Sequence, residues 1–218
     1  MQHVVEQALK CHRVTRVIVA TDDQRIVDAL RPFNTHAVMT SPAHQSGTDR
    51  VAEVAQTLKD DIIVNVQGDE PEIEPVVIDG LIELLEQNPS AGMATAVTKF
   101  PVQKDPADPN LVKCVISIDG RAIYFSRSPV PFHRDQNSSE TPAYYLHLGI
   151  YAYRRDFLLR YASWPPTPLE LTEKLEQLRV LEHAGEIRVL KVQRATNGID
   201  TPEQYEEFVE RTKGVASY

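Results

Sequence analysis

Three polar segments stand where apolar runs end, and they carry the residue types best suited to chemistry: Thr21-Asp22-Asp23, Gln67-Gly68-Asp69-Glu70-Pro71 and Asn197-Gly198-Ile199-Asp200. Asp69 follows the run Ile62-Ile63-Val64-Asn65-Val66 and a glycine, so rigid backbone would carry its carboxylate to a crevice where a hard cation takes oxygen ligands. Asp200 precedes Thr201-Pro202-Glu203-Gln204, a helix start with Thr at the N-cap, Pro at the first helical position and Gln three residues after the cap. Two such carboxylates at the edge of a sheet can hold magnesium, which bridges phosphate oxygens and neutralises developing charge. On pattern alone each has a second reading. Asp69 can close an Asx turn in which Gly68 supplies backbone freedom, and Asp200 can be stabilised by the orphan amides of the helix it precedes.

Other segments carry weaker signals. His44-Gln45-Ser46-Gly47-Thr48-Asp49-Arg50 opens a helix with hydroxyls, a glycine and an arginine, a set that can present amides to a nucleotide or simply cap the helix. Alternation over Tyr145 to Arg154 puts His147, Gly149, Tyr151 and Tyr153 on one face of a strand, where His147 reads as a ligand contact or as a hydrogen-bonded structural histidine. Leu169 to Ala184 reads as one amphipathic helix through Leu171, Leu175, Leu178 and Val180, with its Glu and Gln residues on the solvated face. Neither the phosphate loop of P-loop NTPases, the dinucleotide glycine fingerprint nor a G-x-S-x-G elbow is present.

The elements that must position these groups alternate between helix and strand. Helical patterns cover Val4 to Leu9, Arg25 to Leu30, Asp49 to Leu58, Val76 to Leu85 and a last helix from Pro202; apolar strands cover Val17 to Ala20, Ile62 to Val66, His147 to Tyr153 and Ile187 to Val192. This is the order of a doubly wound α/β protein with a mostly parallel sheet, whose ligands bind beyond the carboxyl ends of its strands. Asp119-Gly120-Arg121, flanked by Lys113 to Ile118 and Ala122 to Ser126, predicts an antiparallel hairpin inserted into that order, followed by an exposed excursion to Pro142. At 218 residues and 42% hydrophobic content one core is expected. With 23 Lys and Arg against 31 Asp and Glu the net charge is -8, so long-range attraction to nucleic acid or an anionic membrane is not expected. Cys11 and Cys114 lack any ligand or disulfide spacing and read as buried thiols. No signal peptide or membrane span is read, so the expected address is the cytoplasm.

In this order, Val19-Ala-Thr-Asp22, His44-Gln-Ser-Gly-Thr-Asp-Arg50, Val64-Asn-Val-Gln-Gly-Asp-Glu-Pro71, Tyr124-Phe-Ser-Arg127, His147-Leu-Gly-Ile-Tyr151, Leu175-Glu-Gln-Leu-Arg179 and Ile199-Asp-Thr-Pro202 closely resemble the 3-deoxy-manno-octulosonate cytidylyltransferases. The likeness spans almost the whole chain. It implies a nucleotidyltransferase fold and a reaction in which CTP and the acidic sugar Kdo give CMP-Kdo and diphosphate for lipopolysaccharide. By the resemblance, Asp69 and Asp200 would hold magnesium and Gln45, Ser46, Gly47, Thr48 and Arg50 would contact the nucleotide. Gln67, His147, Tyr151, Glu176 and Gln177 would shape the sugar pocket, with Arg127 facing the sugar carboxylate. The anomeric hydroxyl would attack the α-phosphorus in line, with catalysis mostly by positioning and charge neutralisation. Family members resemble homodimers, and residues 113–142 are where the dimer contact is expected.

One departure accompanies the resemblance. Members of the family begin with a strand and a basic loop, P-A-R-x-x-S-x-R-L-P-G-K-P-L, before the segment that matches Gln2-His3-Val4-Val5-Glu6, and residues 1–218 contain neither. The chain is therefore expected to be one cytidylyltransferase domain shortened at its start, through a misplaced start codon or an engineered deletion. Without the basic groups the rate should fall by several powers of ten, and the strands flanking the lost one should keep unpaired backbone groups. The competing readings are a cytidylyltransferase for another acidic sugar, such as a sialic acid or an 8-amino sugar, and a catalytically impaired paralogue that serves as a binding or dimerisation partner.

Overall fold

The computed structural model describes residues 1–135, 144–194, 198–199 and 201–212. Eight strands and eight α-helices are found among them. The chain runs α1 (Gln2–Ala8), β1 (Val19–Thr21), α2 (Gln24–Leu30), β2 (Ala37–Met39), α3 (Gly47–Ala55), β3 (Ile62–Asn65), α4 (Pro75–Gln87) and β4 (Met93–Lys99). It continues with β5 (Lys113–Ile116), β6 (Ala122–Ser126), β7 (Tyr145–Arg154), α5 (Arg155–Ser163), α6 (Pro168–Glu173), α7 (Gln177–Glu182), β8 (Ile187–Val192) and α8 (Pro202–Thr212). The α/β alternation is as read from the pattern, and the antiparallel β5–β6 hairpin turns where expected, with Gly120 at φ +83. That left-handed backbone is why a glycine stands there.

β7 organises the main sheet. Along one side it pairs antiparallel with β4; along the other it meets β3 through Asn65↔Tyr151 and its neighbours, and β5 through Lys113↔Leu146. β8 lies parallel to β4 on the outer side. β3, β4, β5 and β8 therefore share one direction, and β6 and β7 the other. β1 and β2 form a separate parallel pair. Residues of β1 and β3 line a common groove.

Side-chain alternation on β4 feeds both helical layers. Met93 and Val97 join Phe157, Leu158 and Tyr161 of α5, Leu178 of α7 and Ala52 and Ala55 of α3 on one face. Ala94 and Ala96, with Ala152 of β7, meet Ile78, Leu81 and Leu85 of α4 on the other. Small residues there let α4 lie close to the sheet, and each fully buried Leu contributes about 1.5–3 kcal/mol of transfer free energy. β4, β2 and α5 were not legible in the pattern: β4 is buried at both parities from Met93 to Thr98, and a run without a period of two cannot be told from a buried helix by period alone.

The single helix read over Leu169 to Ala184 is two helices. Lys174 takes a left-handed conformation, φ 54, and closes α6 before α7 begins. Leu171 on the expected apolar stripe is 52% exposed, while Gln177 is only 3% exposed. α6 starts with a capping box in which Glu170 returns its side chain to the Thr167 amide, and the same carboxylate forms a buried ion pair with Arg179 of α7. Arg179 also donates to the Trp164 carbonyl and stacks over Tyr161. Because removing one partner of a buried pair strands the other charge, Glu170→Gln should lower stability by about 3–5 kcal/mol in urea unfolding. A loss below about 1 kcal/mol would show that the pair does not hold the two helices together.

Candidate active site

The candidate site gathers side chains from β7, from α7 and from the loops at the end of β3 and the start of α3. Gln67 lies just beyond β3, and a Cβ on Gly47 would sit 3.8 Å from its Oε1, so the loop opening α3 stands against the end of β3. Ser46 caps α3 by accepting from the Asp49 amide at 3.2 Å. Ser46 and Thr48 lower the Glu176 pKa, against the larger upward effect of its burial. Next along the chain, Gln177 accepts from the Tyr151 hydroxyl at 3.2 Å, and the Tyr151 ring lies 5.5 Å from that of His147. The loop that the resemblance gives to the nucleotide therefore lies beside Gln67, and Tyr151 links His147 to Gln177 of the group it gives to the sugar.

The helix break at Lys174 brings Glu176 and Gln177 inward. Glu173 ends α6 with its carboxylate accepting from the Ser126 hydroxyl at 2.7 Å and the Arg127 amide at 2.9 Å. The Arg127 guanidinium donates to the carbonyls of Glu173, Pro109 and Lys174 at 2.6, 2.7 and 3.3 Å. Lys113, fully buried, donates to the Arg127 carbonyl. Tyr161 then fixes the other side of the turn by donating to the Glu176 carbonyl at 2.9 Å. Glu173 and Tyr161 gave no usable signal in the sequence, because each acts on backbone reached only after folding.

Thr95 is the other residue that pattern could not reveal. β7 carries two extra residues opposite the Thr95–Ala96 step of β4, and this bulge leaves Gly149 exposed with open space where a side chain would be. Thr95, with no exposed surface, lies 2.8 Å from the Ile150 carbonyl and 2.9 Å from His147 Nε2. The network assigns the hydroxyl proton to Ile150, so Thr95 accepts from Nε2–H and His147 keeps Nδ1 as an acceptor. The two-residue insertion preserves parity, so His147, Tyr151 and Tyr153 still share a face. Burial pushes His147 down to about 3, and at neutral pH it is an uncharged hydrogen-bonding group. Burial likewise raises Tyr151 far above the phenol range and raises Glu176, with the nearby Asp49 charge adding to the latter effect.

Polar groups meet in the pocket with one conspicuous gap. Gln177 Nε2 is buried and has no hydrogen-bond partner. Elsewhere, Arg50 is committed to Asp22 at 2.9 Å and to Thr40 at 2.6 Å, and Gln45, exposed, donates to the Ala43 carbonyl. Asp69 is exposed, with its carbonyl accepting from the Ile199 amide at 2.8 Å, so the two carboxylate-bearing loops are tied together. Asp200 itself lies outside the described residues. No helix among the described residues is long and apolar enough to cross a membrane, and both cysteines are free and buried.

A histidine neutral in the fold but basic when unfolded makes stability depend on acid. The unfolded chain binds a proton near pH 6.5 that the native state refuses until about pH 3, so stability is complete above pH 6.5 and falls as pH drops through that window. His147→Gln should flatten this part of a stability profile measured by denaturant midpoint from pH 7 to pH 4. An unchanged slope would mean that His147 is protonated in the native pocket.

A cytidylyltransferase family profile matches residues 1–187. The 3-deoxy-manno-octulosonate cytidylyltransferase of Geobacter sulfurreducens is 47% identical over 98% of this chain and 88% of its own length. That of Rhodopirellula baltica is also 47% identical, over 97% of this chain and 87% of its own length. A solved CMP:2-keto-3-deoxy-manno-octonic acid synthetase complexed with CTP superposes with a TM-score of 0.91 at 39% identity, covering 98% of this chain and 87% of that one.

Proposed function

Since the chain belongs to the 3-deoxy-manno-octulosonate cytidylyltransferase family of nucleotidyltransferases, we propose that it transfers CMP from CTP to 3-deoxy-D-manno-octulosonate (Kdo), releasing diphosphate, for lipopolysaccharide synthesis. The observation that carries the sugar half of this reading is Gln177. A buried amide donor left unpaired costs about 1–3 kcal/mol, and a sugar hydroxyl is the group that satisfies it. Around it stand a neutral imidazole, a phenol and a carboxylate, a mixture of donors and acceptors suited to a polyol. Gln67, beside Gly47 at the end of β3, is assigned to the sugar by the resemblance. Ser46 and Thr48, in the loop assigned to the nucleotide, favour the charged form of Glu176, so the two substrate regions are electrostatically linked.

Gln45, Ser46, Gly47, Thr48 and Arg50 are assigned to the nucleotide, Arg50 being held in place by Asp22 and Thr40. Arg127 is assigned to the Glu173–Lys174 turn rather than to the sugar carboxylate, because its Nε, Nη1 and Nη2 already donate to carbonyls. Asp69 and Asp200 are assigned as magnesium ligands. The fit rests on a hard-oxygen donor and on the Ile199–Asp69 bond that brings the second loop beside the first. When bound, the metal supplies neutralisation of charge on the triphosphate oxygens. The protein's own part is to hold the sugar hydroxyl and the nucleotide in line and to exclude bulk water from the pocket.

We place the enzyme in the cytoplasm as a homodimer. The hairpin region exposes Ile123 (57%) and Phe132 (77%), apolar surface that a second copy would cover.

Product identity tests the reaction: incubation with CTP, magnesium and competing Kdo, 8-amino-Kdo and sialic acid should yield CMP-Kdo as the dominant nucleotide sugar by mass spectrometry. Preferential use of another sugar would replace the assignment. Gln177→Leu should raise the KM for Kdo by about 10- to 100-fold and leave that for CTP within about twofold. Equal increases for both substrates would remove Gln177 from the sugar subsite.

A further inference from the structure

Gly149 is the one exposed position of β7. Glycine within a strand is destabilising relative to alanine, and it stands there where the backbone is left-handed, where neighbours leave no room, or where something approaches closely. The first two causes account for glycines elsewhere in the chain. Gly120 is left-handed, and an added Cβ would come within 2.9 Å of Leu190 at Gly80 and 2.2 Å of Phe157 at Gly92. Neither cause applies to Gly149: its φ is outside the left-handed region, and among the described residues nothing lies within 4 Å of where its Cβ would be.

The strand edge adds a second observation. The carbonyls of Leu148 and Ile150 are turned toward β4, where the Thr95 hydroxyl lies 3.3 and 2.8 Å from them. Alternation therefore points the N–H and C=O of Gly149 to the opposite edge, which β3 and β5 share. They leave an interval there. The β3 register ends at Asn65↔Tyr151, and the β5 side resumes where the His147 amide donates to the Val112 carbonyl at 2.8 Å. The next rung after Asn65↔Tyr151 would join Gln67 to Gly149, but β3 has ended and the Gln67 carbonyl accepts from the Glu70 amide at 3.3 Å. Beside this interval the Tyr151 hydroxyl leads to Gln177, whose Nε2 is buried and unpaired.

We propose that Gly149 is a specificity-determining residue that reads a vicinal diol of the acidic sugar through its backbone. One hydroxyl accepts from the Gly149 N–H and its neighbour donates to the Gly149 C=O, while the sugar carbons fill the space a side chain would take. A carboxylate only accepts and would leave the carbonyl without a donor, so the diol end of the sugar belongs here. The inference rests on the sugar site assigned above and adds to it a main-chain contact that no side-chain motif supplies.

The test uses binding, with magnesium and without CTP, so that it does not depend on turnover. Kdo, 8-amino-Kdo and sialic acid are titrated calorimetrically into the 218-residue chain and into its Gly149→Ala variant. Whichever sugar the parent chain binds best should bind the variant at least about tenfold more weakly, through the lost hydrogen bonds and the filled space. The urea midpoint of the variant should equal or exceed that of the parent. In a spectrum of protein labelled with ¹⁵N at its nine glycines, the signal absent from the variant identifies Gly149, and it should shift most on adding sugar. Unchanged Kdo affinity in the variant, with the Gly149 signal unmoved, overturns this proposal and leaves the Kdo reading standing. Preference for another sugar that the variant binds tenfold more weakly replaces Kdo and upholds Gly149. A lowered urea midpoint would show that the glycine serves the strand, and it overturns the proposal. Absence of binding by all three sugars at millimolar concentration overturns both.

Discussion

Glu173 ends a helix one turn early, and the shape of the pocket follows from how its carboxylate and carbonyl are taken up. The carboxylate accepts from Ser126 and Arg127 at the end of β6, and the carbonyl accepts from the Arg127 guanidinium. With those bonds made, Lys174 turns left-handed and the chain re-enters as α7 with Glu176 and Gln177 pointing inward. A continuous helix would have left both on a solvated face. The left-handed residue costs about 1–2 kcal/mol, which several hydrogen bonds to charged groups offset.

A second constraint acts from β7. Its two extra residues at Gly149 and Ile150 expose a carbonyl inside the sheet, and Thr95 answers it with a hydroxyl that also fixes the tautomer of His147. The rings of Phe125, His147, Tyr151 and Tyr153 then follow one another at centroid separations of 4.9, 5.5 and 6.0 Å. An aromatic wall of this kind excludes water while leaving a hydroxyl and a ring nitrogen as polar contacts. The histidine gains no charge at neutral pH, so the pocket orients a ligand by hydrogen bonds rather than by a cation.

How much of this was legible in the sequence depended on whether a signal was local. The capping box at Thr201–Gln204 and the Asp119-Gly120 turn are written in adjacent residues and were read correctly. β4 was missed because burial on both faces erases its period. The break at Lys174 is not legible because lysine has no intrinsic preference for a left-handed backbone; the cause lies 47 residues away in Arg127. Pocket residues could be grouped only through resemblance, since Glu176 and Gln177 look like ordinary surface positions of an amphipathic helix. Arg127 shows the complementary limit: a motif position marks importance without saying whether the side chain meets a ligand or a backbone turn.

The central claim is that Kdo sits between β7 and the start of α7, touching side chains that the Glu173 turn delivers. Isotope-filtered NMR on ¹³C-labelled Kdo bound to the protein in the presence of magnesium and CTP tests it most directly. The account predicts transferred contacts from the sugar protons to the ring protons of His147 and Tyr151, and a shifted side-chain amide signal for Gln177. Sugar contacts centred on Arg127, with the Gln177 amide unmoved, would contradict it.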